Sequence, residues 1–240
     1  MPFTAFVSDL HLTPARAQTA EIFARFVRGP ARGADALYIL GDLFEYWIGD
    51  DDLSAPFNAG VAAGLKELSS AVPVYFMHGN RDFLLLGQFA RATGVKLLAD
   101  PAVVDLYGTQ TVLLHGDTLC TADVHYQAFR RRVRSRWLQR LFLLQPLWAR
   151  RAWFERGRRK SNRAKQLTPC EIMDVTPSAV EQSFRDSGCT RMIHGHTHRP
   201  ARHAHVVDGR SCERWVLSDW YRGGQYLRVD PQGCTRVDLT

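Results

Sequence analysis

The 240-residue sequence has no C-x-x-C pair, and its five cysteines (Cys120, Cys170, Cys189, Cys212, Cys234) are odd in number and widely scattered. That pattern excludes a zinc ribbon or a disulfide framework and fits a reducing compartment, so the cysteines receive no role. No stretch approaches the roughly 20 apolar residues that cross a bilayer. The most apolar one, near Leu141 to Ala149, is broken by Gln145 and Pro146. The opening residues lack a basic segment, a long apolar segment and a small-residue cleavage site, so no secretory signal is expected. A composition of 45% hydrophobic and 23% charged residues excludes disordered and fibrous classes. No internal repeat or linker stands out, and the length allows one large domain or two small ones.

What is present in excess is positive charge. Thirty-one Lys+Arg against 24 Asp+Glu give +7, which points to an anionic partner such as nucleic acid, phospholipid or a phosphorylated substrate. The charge is uneven. Between His125 and Lys165 fourteen cations face one anion, Glu155, so this stretch carries +13 and the remainder −6. Its apolar residues Trp137, Leu138, Leu141, Phe142, Leu144 and Trp148 recur at helical spacings, which predicts a basic amphipathic helical insertion.

Elsewhere short apolar runs end at polar clusters. Phe3 to Val7 runs into Ser8-Asp9-Leu10-His11, Ala36 to Leu40 into Gly41-Asp42, and Val72 to Met77 into His78-Gly79-Asn80. Thr111 to Leu114 runs into His115-Gly116-Asp117, and Arg191 to Ile193 into His194-Gly195-His196. Such runs read as buried strands. Helical patterns over Ala17 to Arg28 and Ala55 to Leu68 alternate with the first three, which predicts an α/β sandwich. From Ala201 onward, segments at Arg202 to Val207, Arg214 to Leu217 and Gln225 to Val229, punctuated by Asp208-Gly209 and Gly223-Gly224, read as closing antiparallel strands.

Ligands of open α/β sheets bind beyond the carboxyl ends of the strands, where these clusters fall. Asp9, His11, Asp42, Asn80, His115, His196 and His198 offer carboxylate, imidazole and amide oxygen, a donor set suited to Mn²⁺, Fe²⁺ or Zn²⁺. Glycine beside nearly every donor (Gly41, Gly79, Gly116, Gly195) admits close backbone approach. A single histidine or Gly-Asp pair at a strand end would mean little, since both are common in turns. The ordered set D-x-H, G-D, G-N, H-G-D and G-H-x-H is far more specific.

Those five motifs resemble the calcineurin-like metallophosphoesterases. The resemblance implies a four-layer α/β/β/α sandwich with a helical cap insertion, its core at residues 1–122 and 170–240 and its cap at 123–169. It also implies two metal ions, Asp9, His11 and His198 holding one, Asn80, His115 and His196 the other, and Asp42 bridging. Arg81 follows Asn80 where the wider family usually has a histidine that assists the leaving group. Arginine is a poor acid but a good fork for phosphate, which favours pyrophosphate over simple ester cleavage.

Ser8 to Leu12, Tyr38 to Asp52, His78 to Leu84, His115 to Thr121 and His194 to Pro200 resemble the pyrophosphatase branch of that family. The resemblance implies a Mn²⁺-dependent water attack on the α-phosphorus of UDP-2,3-diacylglucosamine in lipid A biosynthesis. Arg81, Asn80 and His196 would be catalytic, and Asn80, Arg81, Asp123, Ser161, Lys165, Thr168 and His196 would bind substrate. Lys165 and Thr168 stand where that branch more usually has Asn and Lys. A monomer on the cytoplasmic face of the inner membrane is expected, with no nucleic-acid partner; an interfacial helix carries both apolar and basic residues, as the insertion does. Two readings remain beside this one: a metallophosphoesterase acting on nucleic acid or soluble nucleotides, and a binding module without catalysis. The insertion's Trp137, Leu141 and Trp148 could equally form the inner face of a cap.

Overall fold

A computed structural model describes residues 1–156 and 174–239. Strands β1 (Thr4–Val7), β2 (Ala36–Ile39) and β3 (Val74–Met77) are short and apolar on both faces, as parallel strands covered on both sides must be. With β4 (Lys96–Leu98), β10 (Gly224–Asp230) and β11 (Gly233–Leu239) they form a six-stranded sheet ordered β11-β10-β1-β2-β3-β4. A second, five-stranded sheet runs β5-β6-β7-β9-β8, from β5 (Ala102–Leu106), β6 (Thr109–Leu114), β7 (Arg191–His194), β8 (Arg202–Val207) and β9 (Arg210–Val216). The carboxy-terminal strands expected to close the fold are divided between the sheets. The β8–β9 hairpin, turning at Asp208 (φ 50°) and Gly209 (φ 75°), joins the second sheet, whereas β10 and β11 extend the first.

Three apolar clusters define four layers. Ile22, Phe23, Phe26 and Val27 make one stripe of α1 (Ala17–Arg28), and with α2 (Pro56–Ser69) and α3 (Gly87–Thr93) they cover the first sheet. Phe6, Leu40, Met77, Leu113, Ile193 and Trp215 fill the space between the sheets. Val180 and Phe184 of α7 (Pro177–Ser187) cover the second sheet through Val112, Met192 and Cys212. This is the α/β/β/α order that the resemblance implies.

Register places the site. Val7 pairs with Ile39 and Ile39 with Phe76 in the first sheet, while Leu114 pairs with His194 in the second. The residues after each strand therefore emerge at one level, from both sheets, along one edge of the sandwich.

Candidate active site

Five of the residues singled out as donors hold left-handed backbone: Asp9 (φ 54°), His11 (48°), Asp42 (53°), His196 (70°) and His198 (55°). Such conformations cost on the order of 1–3 kcal/mol each and persist where the surroundings over-determine them. The surroundings here are neighbouring loops. The Asp9 N–H donates to the Gly41 carbonyl at 3.1 Å, that of His11 to the Asp42 carbonyl at 2.9 Å, and that of Gly195 to the His115 carbonyl at 2.8 Å. A Cβ on Gly79 would run into the Asp42 carboxylate and amide, and one on Gly195 into Ser8 and Asp9. Glycine at these two positions is a requirement of close approach, as the sequence pattern suggested.

The structure brings all seven predicted donors together. Asp9 Oδ1, buried, faces His198 Nε2 at 3.3 Å and His11 Nε2 at 3.9 Å, and the two Nε2 atoms lie 3.4 Å apart. Asn80 Oδ1 lies 3.2 Å from both His115 Nε2 and His196 Nδ1. Asp42 stands between the two groups, its Oδ2 3.8 Å from His11 Nε2 and its Oδ1 3.9 Å from His115 Nε2. Two clusters of oxygen and nitrogen donors share one carboxylate.

Outer contacts turn the donor atoms inward. Asp9 Oδ2 accepts from Ser8 Oγ at 2.6 Å and from the His196 N–H at 2.8 Å, which leaves Oδ1 with imidazoles alone before it. The His115 Nδ1 donates to the Leu40 carbonyl at 2.8 Å, which directs Nε2 into the site. Glu45 stands 3.8 Å behind His11 Nδ1, and Asp219 3.8 Å behind His198 Nδ1. The Tyr221 ring stacks on His11 at 5.3 Å between centroids.

Packing these groups together divides their pKa values. Burial raises Asp42 to about 7 despite His115. Burial opposes the ionised form of Asp9 as well, but the hydrogen bond from His198 and the charges of His115, His198 and His11 hold it well below the carboxylate range. Burial lowers His196 to about 3, helped by His115. His115 itself resists burial and rises to about 9 under Asp42, Asp117 and Asp9. Opposed shifts of this size in one cleft mark a functional centre.

Arg81 emerges from the same loop as Asn80. Its N–H donates to Asp42 Oδ1 at 2.8 Å, and its charge bears on both Asp42 and His11. Its guanidinium makes no ion pair among the described residues.

Several residues important to this arrangement have roles that the sequence did not assign, although Asp82 and Asp117 belong to the motifs. Asp82, fully buried, accepts from the N–H groups of Gly79 at 2.9 Å and Leu43 at 2.7 Å. It thereby ties the loop after β2 to the loop after β3. Asp117 accepts from Tyr126 Oη and Arg130 Nε, both at 2.7 Å, and Arg130 reaches Asp100 at 3.3 Å. The Tyr126 ring stacks over His196 at 6.1 Å. Tyr126, Arg130 and Arg134 recur every four residues, a spacing that places them on one helix face and could have signalled their common task.

The basic stretch is not one amphipathic helix. It contains α4 (Val124–Val133), α5 (Arg136–Leu143) and a helix over residues 147–156, here α6. Asp123 caps α4, accepting the Tyr126 N–H at 2.8 Å. Ser161, Lys165, Thr168 and Cys170 lie outside the described residues. Part of the positive charge is used internally: Arg134 donates to the Gly79 carbonyl at 2.9 Å, Arg150 bonds Ile48 and Asp51, and Arg151 bonds Asp52. Asp50 instead accepts the Leu86, Gln88 and Phe89 N–H groups at the start of α3. The inner-face reading of Trp137, Leu141 and Trp148 is overturned, because they are 62, 53 and 74% exposed. Phe142 and Leu143 pack inward instead, and Phe154 meets the Tyr46 ring at 4.8 Å.

Two sheets presenting paired donor clusters across one carboxylate define a phosphoesterase of the dinuclear kind. The calcineurin-like phosphoesterase profile matches residues 4–200, and the chain belongs to that family, whose members carry a dinuclear metal site. A solved dimetal phosphatase from Danio rerio shares the fold, with a TM-score of 0.52 at 14% identity over 99% of each chain. Much nearer relatives exist. The UDP-2,3-diacylglucosamine hydrolase of Aromatoleum aromaticum is 51% identical over 95% of this chain and 93% of its own length. That of Stenotrophomonas maltophilia is 51% identical over 96% of each, and that of Xanthomonas axonopodis 48% over 98% of each. The chain is accordingly an enzyme, a hydrolase.

Proposed function

We propose that this chain hydrolyses the pyrophosphate of UDP-2,3-diacylglucosamine by attack of water on the α-phosphorus, releasing UMP and 2,3-diacylglucosamine 1-phosphate. The observation that carries this reading is Arg81, whose backbone N–H holds Asp42 and whose guanidinium, free of ion pairs among the described residues, bears its charge on Asp42 and His11. A planar fork binds phosphate oxygens in pairs and gives up no proton, which suits a phosphate leaving group better than an alkoxide.

The residues fit two divalent cations. Asp9, His11 and His198 would hold one, Asn80, His115 and His196 the other, and Asp42 would present one oxygen to each. Oxygen and nitrogen donors without thiolate suit Mn²⁺. When bound, such a pair supplies Lewis acidity toward a phosphoryl oxygen and a water acidic enough to ionise near neutrality. The chain's own contribution is placement. Asp82 and the Leu40 carbonyl keep the donors aimed inward, Tyr126 backs the His196 ring, and Arg81 clamps the phosphate.

Membrane association belongs to the same reading. Trp137, Leu141, Leu144, Trp148 and Trp153 are all more than half exposed, on helices that also bear Arg136, Arg140 and Arg156. No described helix is long and apolar enough to cross a membrane. An apolar patch ringed by cations fits the surface of an anionic leaflet, on the cytoplasmic side, where a lipid-linked nucleotide sugar would present its headgroup.

The decisive test is Mn²⁺-dependent release of UMP from UDP-2,3-diacylglucosamine. Asp42→Ala and His115→Ala should abolish it, and Arg81→Lys should lose most of it because a point charge cannot replace the fork. No turnover of this substrate, with normal activity on unacylated phosphoesters or single-stranded nucleic acid, would overturn the assignment.

A further inference from the structure

Beneath α7, on the outer face of the five-stranded sheet, lies a cavity of ≈ 230 Å³. Its walls include Arg214 of β9, His203 and His205 of β8, and Thr197 and Arg199 from the loop after β7. None of these is among the donors of the first site. Arg214 is only 7% exposed, yet no carboxylate pairs with it among the described residues.

Its partners are two imidazoles. Nη1 lies 3.0 Å from His194 Nε2, and Nε donates to His205 Nε2 at 3.4 Å. The His194 Nδ1 donates to the Gly195 carbonyl at 2.8 Å, so its Nε2 accepts from Arg214 as a neutral ring. The neighbouring acids are engaged elsewhere. Asp174, which also lines the cavity, bonds Arg199 and reaches Arg214 only through its charge, and Glu213, on the opposite face of β9, bonds Arg191 and Arg202. The other buried arginine among the described residues, Arg150, has both a carboxylate and backbone carbonyls around it.

A guanidinium stays charged, and burying one without a counterion is costly. The cost is removed if the counterion is a ligand. Arg214 Nη2 has no hydrogen-bond partner among the described residues, so the fork retains donors on its cavity side. Arg236 adds positive charge near His203.

We propose that this cavity is a second oxyanion site, binding a phosphate group against Arg214, with His203 and His205 as further donors and Thr197 and Arg199 at its rim. The rim belongs to the loop that carries His196 and His198, so an occupant contacts that loop from behind. The proposal does not depend on which phosphoester the first site cleaves.

The test titrates the full-length, Mg²⁺-loaded protein with inorganic phosphate at constant ionic strength, following the imidazole resonances of His203 and His205. We expect a saturable shift that Arg214→Gln weakens about tenfold or more, the equivalent of one lost charge-assisted bond, and that Arg81→Gln leaves intact. Because Arg214→Gln could disturb packing, His203→Glu provides a second variant, placing a carboxylate before Arg214 within the cavity. It should raise the thermal midpoint and abolish the His205 response. The proposal is overturned by no saturable shift, by the same shift with chloride, by loss with Arg81→Gln but not Arg214→Gln, or by an undiminished response in His203→Glu.

Discussion

Replacing Arg150 with methionine tests how the basic helices are held to the sandwich. Arg150 is 2% exposed and donates through Nε to the Gln145 carbonyl at 2.9 Å, and through its other nitrogens to the Ile48 carbonyl and Asp51. Methionine keeps the apolar stem but leaves the Ile48 carbonyl without a donor. A buried acceptor so orphaned costs about 1–3 kcal/mol, whereas Asp51, 53% exposed, recovers water and adds less than about 1 kcal/mol. A loss of about 2 kcal/mol raises the population of the undocked state roughly thirtyfold. Native-state hydrogen exchange over α5 and α6, together with trypsin cleavage at their arginines, reports that population directly. Asp51→Asn, which removes only the exposed partner, should change the same rates fivefold at most. Equal effects of the two substitutions would show that the ion pair, not the buried carbonyl, holds the helices, and wild-type exchange in Arg150→Met would refute the docking role altogether.

Three other outcomes are expected. Asp117 is buried, which disfavours its charge, but His115 and then Arg130 outweigh burial and depress its pKa below the usual carboxylate range. Its stabilising effect is therefore present above about pH 4 and lost as pH falls further; urea midpoints of Asp117→Asn should show a flattened acid limb and a loss of about 3 kcal/mol at pH 7, and an unchanged limb would contradict the pairing. His115, raised to about 9, must lose its proton to bind a cation through Nε2, so Mn²⁺ affinity should climb with pH up to about 9, with proton release visible by calorimetry in buffers of different ionisation enthalpy; a pH-independent affinity would count against His115 as a ligand. Gly79→Ala places a methyl group against the Asp42 carboxylate, and turnover should fall by about a hundredfold or more with circular dichroism unchanged, whereas near-normal turnover would show that the two loops have room to separate.

The sequence by itself determined the layered α/β class and pointed to the seven side chains that the fold gathers at one edge of the sandwich. A buried parallel strand is a short apolar run, and its carboxyl end is where a chain in such a sheet can present polar side chains to a ligand, so local pattern and site position coincide at Asp9, Asp42, Asn80, His115 and His196. The grouping of the donors on either side of Asp42, which the family resemblance implied, acquires its distances only in the tertiary structure, because they follow from alignment between two sheets. It also showed that Asp82 ties two loops and that Tyr126 and Arg130 reach Asp117, contacts between residues distant in the chain. Hydrophobic periodicity shows that a helix has two faces but not which one meets the core. Trp137 and Trp148 accordingly point outward while Phe142 and Phe154 pack within, and Arg134, Arg150 and Arg151 spend their charge on carbonyls and carboxylates of the sandwich. Arg214 shows the same limit from the other side, since nothing near it in the chain reveals that folding buries it against two imidazoles with no carboxylate paired to it among the described residues.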